Sequence, residues 1–303
     1  MTSWFENIWS GLRYFFFLPI FGLLPSSLPY LLSRYLSHLD YWCHTTRAES
    51  VRRGMAQFLK DVSASGEGLD LVSRRYFEVI FCDEVDLFIY LFGFAKRFIR
   101  RIKIEGEGNL KEALRSRGGI LLSAHFGGGF WILPFLKERG VPAHFFSADI
   151  EKRKYPTGKA LYYYHRLRMK AVEKASGERT LYKRGGRQDL ARALSEGKWV
   201  IVLLDVPPSL VKDVVEVPFF DQKALFPQGI ISIAKETHSP ILPFFSFLDD
   251  GKHRRILFEK PFWIDNVEEG VKTCVNLIQR QVVKRPCHWH LWPVAHQFFI
   301  HLQ

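Results

Sequence analysis

Cysteine is scarce in this chain, four among 303 residues. Cys43, Cys82, Cys274 and Cys287 stand far apart with no CxxC pair, which excludes a disulfide-stapled secreted framework and fits a compartment where thiols stay reduced, the cytosol. Long apolar runs are missing too. The cleanest, Tyr14 to Leu24, is about 11 residues and is broken by Pro19, short of the roughly 20 that carry one helix across a bilayer. The same segment lacks the small-residue cleavage site of a secretory signal. No internal repeat, low-complexity tract or long linker occurs, so solenoid and disordered classes are excluded.

What is there is apolar and aromatic material in quantity, 47% and 15% of residues, enough for a real core. The net charge is +12 and unevenly spread. Glu151 to Arg187 holds 12 Lys and Arg against three Glu. Such a stretch attracts an anion: nucleic acid, an anionic lipid headgroup, a phosphorylated glycolipid or an acidic carrier protein. A solvated helix face would carry the same charge. No nucleic-acid motif accompanies it, so nucleic acid is not expected as a partner.

Three regions follow. Residues 1–42 read as an apolar membrane anchor, interfacial or steeply embedded, with Trp4, Trp9, Tyr14, Tyr30, Tyr35, Tyr41 and Trp42 suited to the headgroup layer. A buried hairpin capping the core is the other reading. Residues 43–101 read as helices over 45–59 and 69–98, parted by the turn Ser63 to Gly68 and packed on the third region. Residues 102–303 alternate strands near 102–105, 120–124, 142–147, 199–204, 214–219, 241–247 and 255–260 with helices near 107–117, 126–138, 157–175, 187–196, 226–237 and 266–283. That alternation predicts an α/β fold, a mainly parallel central sheet flanked by helices.

In Gly118 to Trp131 a fully apolar strand runs into His125, then Gly127, Gly128 and Gly129, then a helix. Open α/β sheets bind ligands at the carboxyl ends of their strands, where His125 falls. The glycines bare the backbone beside the imidazole, so their amides are candidates to face an anion or oxyanion. A core histidine beside a flexible turn is the plainer alternative. The strand ending at Leu204 delivers Asp205 in the same way, either into that crevice or as initiator of the Pro207-Pro208 turn.

At these residues the sequence resembles the lysophospholipid acyltransferase superfamily, and within it the bacterial late lipid A acyltransferases that transfer lauroyl or myristoyl chains. The resemblance runs over Arg47, Arg52 and Arg53, Ile104-Glu105-Gly106, Ser123-Ala124-His125-Phe126-Gly127, Arg184, Ala191 to Leu194, Asp205, Val217 to Phe220, Gly229 and Ile241 to Phe244. It implies acyl transfer from an acyl thioester, on acyl carrier protein or CoA as co-substrate with no cofactor, to a hydroxyl or amine of a membrane lipid or glycolipid, at the cytoplasmic face of the bacterial inner membrane. It makes His125 the general base, puts Arg184 and Arg187 on an anionic headgroup or the acidic carrier, and sets Gly127, Gly128, Gly129 and Phe130 against the substrate, with an apolar groove for the chain.

The family's histidine is followed five positions later by Asp or Glu, which holds the imidazole tautomer. Here that position is Phe130, and no acid occurs between Ala124 and Lys137. Asp205 or Asp149 supplies the carboxylate from another strand, or the histidine works alone on an easier nucleophile such as an amine, or the domain binds lipid without turnover. Cys287-His288-Trp289-His290 and His296 keep the aromatic and histidine character of the family's C-terminal motif without its arginines. Their spacing fits no metal-ligand pattern, and no metal is expected.

Overall fold

The computed structural model of the protein describes residues 2–59, 68–152, 159–249 and 253–300, and side chains there except those of residues 2–6 and 45. Most of the turn at Ser63 to Gly68, the side chain of Trp4 and part of the basic stretch fall outside them.

Seven strands form one sheet: β1 (Lys103–Glu105), β2 (Gly119–Ser123), β3 (Ala143–Ser147), β4 (Leu181–Tyr182), β5 (Trp199–Leu203), β8 (Ile241–Asp249) and β9 (His253–Phe258), in the order β1-β9-β8-β2-β5-β3-β4. Every neighbouring pair is parallel except β8 with β9. β2 lies near the middle, and all five of its residues are buried. That burial on both faces is why its sequence is uniformly apolar rather than alternating. Helices α7 (Glu107–Ala113), α8 (Ile132–Glu138), α9 (Lys159–Ser176), α10 (Gly186–Ser195), α11 (Gly229–Glu236) and α12 (Val267–Lys284) connect and cover the strands.

Two expected elements differ. The strand at 214–219 is not in the sheet. As β6 (Val214–Phe219) it forms an antiparallel hairpin with β7 (Gln222–Pro227), a strand the sequence did not announce. The two-residue loop holds Phe220 and Asp221 at φ 50° and 57°, the doubly left-handed turn that suits a hairpin but is normally signalled by Asn-Gly. The expected helix over 69–98 is α5 (Leu69–Leu91) and a short α6 (Ala95–Ile99). Gly93 at φ 80° ends α5, its N–H donating to Tyr90 O and that of Phe94 to Ile89 O, a glycine cap the apolar periodicity had hidden.

Of the amino-terminal helices α1 (Thr2–Leu12), α2 (Leu18–Leu23) and α3 (Leu28–Cys43), with a π-helical turn Arg13–Phe17 between the first two, α2 and α3 pack on α5, as does α4 (Thr45–Phe58), and α1 packs on α9. Their inner faces carry polar ties among buried apolar side chains such as Leu18 and Leu36. Trp9 Nε1 donates to Asp40 at 2.7 Å, buried Arg13 pairs with Glu84, and Tyr30 donates to Asp86 at 2.8 Å. Their outer faces are apolar. Ile8, Leu12, Phe15, Phe16, Ile20 and Leu23, then Leu28, Leu31, Tyr35, Leu39 and Trp42, are all exposed, the second set at spacings of three and four that put it on one face of α3. Of the aromatics expected in a headgroup layer, Tyr14, Tyr30 and Tyr41 are instead buried, because Tyr164 of α9 stacks on the first and α5 offers the other two partners, while Tyr35 and Trp42 face outward. Among the described residues no helix is long and apolar enough to cross a membrane.

Candidate active site

The register of the two central strands builds the site. Ser123 of β2 pairs with Leu203 of β5, so two residues further on, His125 meets Asp205 at the carboxyl edge of the sheet. Asp205 is fully buried and accepts three donors: the His125 backbone N–H at 2.8 Å, Trp289 Nε1 at 2.8 Å, and the His125 ring, whose Nδ1 is 2.9 Å from Oδ1. With Nδ1 bonded to Asp205, the ring presents Nε2 elsewhere. The imidazole is not sealed in. Its side chain is 36% exposed and lines a cleft with Gly128, Gly129, Phe130, Phe145 and Leu203. Asp149, the other carboxylate considered, instead faces Arg184 at 3.4 Å.

The glycine corner is built differently from what its sequence suggests. No helix begins at 126. Phe126 bridges to Trp289, a single turn of 3-10 helix spans Gly129–Trp131, and α8 starts only at Ile132. Of the Gly127 and Gly128 amides, that of Gly127 donates to His288 O at 2.8 Å, so it is already engaged and does not face the cleft as a free donor. Their lack of side chains serves packing: a Cβ on Gly127 would sit 2.5 Å from Val79 Cγ1, and one on Gly128, at φ 71°, 2.7 Å from Arg254 Nη1. Only Gly129 has open space where its Cβ would be.

Phe130, where the resemblance places an acid, walls the cleft. Its ring packs edge-on to Phe145 at 5.2 Å, and the Arg168 guanidinium lies 4.6 Å from its centroid. The free space inside is about 40 Å³, enough for on the order of three waters or a reacting carbonyl. Arg184 and Arg187 lie away from the imidazole. Arg184 follows β4, on the same sheet edge as His125 but three strand spacings along it, roughly 14 Å, and is 81% exposed. Arg187 pairs with Glu236. The cation that does line the cleft is Arg168 on α9, which the sequence offered only as one of many basic residues in its stretch.

Behind the glycines lies a buried charge cluster. Arg254 reaches Asp83 at 3.0 Å and pairs with Asp86, which also accepts from Tyr30 and from Trp131 Nε1 at 2.7 Å. Burial pushes the Asp86 carboxyl up to about 7 although Arg254 draws it down; burial pushes Asp83 up as well, but Arg254 and His290 together outweigh it and that carboxyl lies below its usual range. Asp83 and Asp86, three apart and so on one face of α5, were the signal for this cluster. Among the described residues no group of three His, Cys, Asp or Glu could hold a metal.

Residues 155–292 match the family described as bacterial lipid A biosynthesis acyltransferase. Over those residues, a little under half of the chain, the protein is similar to that family. The matched residues include Arg168, Arg184, Arg187, Asp205 and Trp289 and begin beyond His125. No curated protein matches the chain. Among solved structures, the 1-acyl-sn-glycerophosphate (LPA) acyltransferase PlsC from Thermotoga maritima is similar at 14% identity, covering 79% of this chain and 97% of that one, with a TM-score of 0.36.

Proposed function

We propose that this protein moves a fatty acyl group from a thioester, on acyl carrier protein or CoA, to a hydroxyl or amine of a membrane lipid or glycolipid at the cytoplasmic face of the bacterial inner membrane. His125 is the general base, and Asp205 replaces the carboxylate absent at Phe130. The observation that carries this is the 2.9 Å contact of His125 Nδ1 with the buried Asp205 beside an open cleft. Nε2 takes the acceptor's proton as its oxygen or nitrogen attacks the thioester carbonyl, and Asp205 offsets the charge that develops on the ring. The donor is a co-substrate, and no cofactor takes part. Arg168 inside the cleft and Arg184 and Arg187 along the sheet edge are the cations for an anionic headgroup or carrier. The Gly129 amide and Phe130 contact the reacting end.

Incubating the full chain with acyl carrier protein or CoA thioesters and bacterial membrane lipids should release free thiol and give a lipid heavier by one acyl group on mass spectrometry. Bound lipid without either product, from every donor, would instead make the protein a silent lipid binder. Because Asp205 already occupies Nδ1, Phe130→Asp should leave the rate unchanged or lower it. A rate increase would mean that Asp205 is not the working partner.

The amino-terminal helices supply the membrane seat. Helices that keep an apolar face exposed while polar ties hold them to the body have the arrangement of an interfacial anchor. Phe16→Glu with Leu39→Glu should weaken sedimentation with anionic vesicles about 100-fold, from the transfer free energy of two large apolar side chains. The melting temperature should hold, since the two side chains are 54% and 58% exposed. Unchanged vesicle binding would remove this face from the membrane.

A further inference from the structure

Beside His125 stands a second histidine with a carboxylate of its own. The His290 N–H donates to His125 O at 2.8 Å, on one side of the antiparallel bridge between Phe126 and Trp289, and the Gly127 N–H donates to His288 O at 2.8 Å on the other. In that pattern His125 and His290 are directly opposed, which sends both side chains to the same face with their Cβ atoms about 5 Å apart. Both line the cleft. His290 Nε2 lies 3.0 Å from Asp83 Oδ2, off the line of a strong hydrogen bond, as acid-base pairs often do before substrate tightens them. Asp83 is fixed in turn by Arg254 at 3.0 Å. Each imidazole therefore has one nitrogen on a carboxylate and the other left for chemistry, Nε2 of His125 and Nδ1 of His290.

The main chain at His290 does not depend on its ring. It is held by the bond to His125 O and by Tyr76, whose hydroxyl donates to His290 O at 2.9 Å. A ring that contributes nothing to fixing the backbone, yet is set on a carboxylate and faces the cleft, is placed for acid-base work.

We propose that His290, backed by Asp83, donates the proton that the departing thiolate receives. This rests on the thioester reading above. The acceptor's proton passes to His125 as the new acyl–oxygen or acyl–nitrogen bond forms. As the tetrahedral intermediate collapses, the carbon–sulfur bond breaks with its electron pair on sulfur, and the proton on His290 goes to that sulfur, giving free thiol. His125 has gained one proton and His290 has lost one, and exchange through solvent between the two opposed rings restores both. Two imidazoles on opposite strands straddle the reacting carbon, whereas a single ring would have to swing from the acceptor to the sulfur.

The test compares two donors carrying the same acyl chain, a CoA thioester and an aryl thioester whose thiolate leaves without needing a proton. With the full chain, His290→Gln should slow transfer from the CoA thioester roughly 100-fold, the usual range for loss of a general acid, and transfer from the aryl thioester by less than about threefold. His290→Asn gives the same readout if the glutamine variant folds poorly. Equal losses with the two donors, or no loss with either, would overturn the assignment, because a purely structural role is blind to the leaving group. If the unaltered protein turns over neither donor, the thioester reading itself falls and takes this assignment with it.

Discussion

Replacing His125 with alanine should lower acyl transfer about 10⁴-fold, the upper range for removal of a general base, without unfolding the protein. The structural half of that expectation comes from where the ring sits. It is more than a third exposed at the cleft, so its loss leaves no buried cavity. The main chain keeps its ties, with the residue's N–H still donating to Asp205 and its carbonyl still accepting from His290. Asp205 loses one of three donors and keeps the backbone amide and Trp289, so its buried charge is not orphaned. Thiol release and thermal melting measured on one preparation decide the matter. A variant that melts like the parent and transfers acyl groups at the parent's rate would show that the chemistry resides elsewhere.

The strand ending in His125 was legible because a strand in a parallel sheet is buried on both faces and reads as an unbroken apolar run. Which acid serves it was not. Asp149 follows β3, the next strand in the chain, but β5 inserts between β2 and β3 in the sheet, and so the later strand's Asp205 becomes the neighbour. Strand order is a tertiary property with no local signature. The glycines misled for a related reason. Read locally they bare the backbone to a ligand, whereas in the fold Val79 and Arg254 press on two of them and the C-terminal segment takes the Gly127 amide. His290 and Asp83 reach the cleft from opposite ends of the chain, so no spacing in the sequence could have paired them. The amino-terminal region showed its apolarity but not its direction, because only packing on α5 decides that Tyr30 turns inward and Trp42 outward.

Asp205→Asn should cost about 10⁴ in rate, as loss of the orienting carboxylate does in Ser-His-Asp enzymes, and the reason lies in proton bookkeeping at three contacts. The aspartate accepts from the His125 amide, the His125 ring and Trp289. An asparagine has one oxygen and one NH₂, so at least one of those donors meets another donor. If the NH₂ faces the ring, Nδ1 must become the acceptor and the proton moves to Nε2, the nitrogen that has to be bare to act as base. If it faces Trp289, the indole N–H is left buried without a partner, at about 1–3 kcal/mol of stability. The two arrangements separate experimentally: the first kills turnover with little change in melting, the second lowers melting and spares part of the rate. An asparagine variant that keeps both rate and melting temperature would mean that the ring does not draw its orientation from Asp205, and the base would then have to work unassisted beside Phe130.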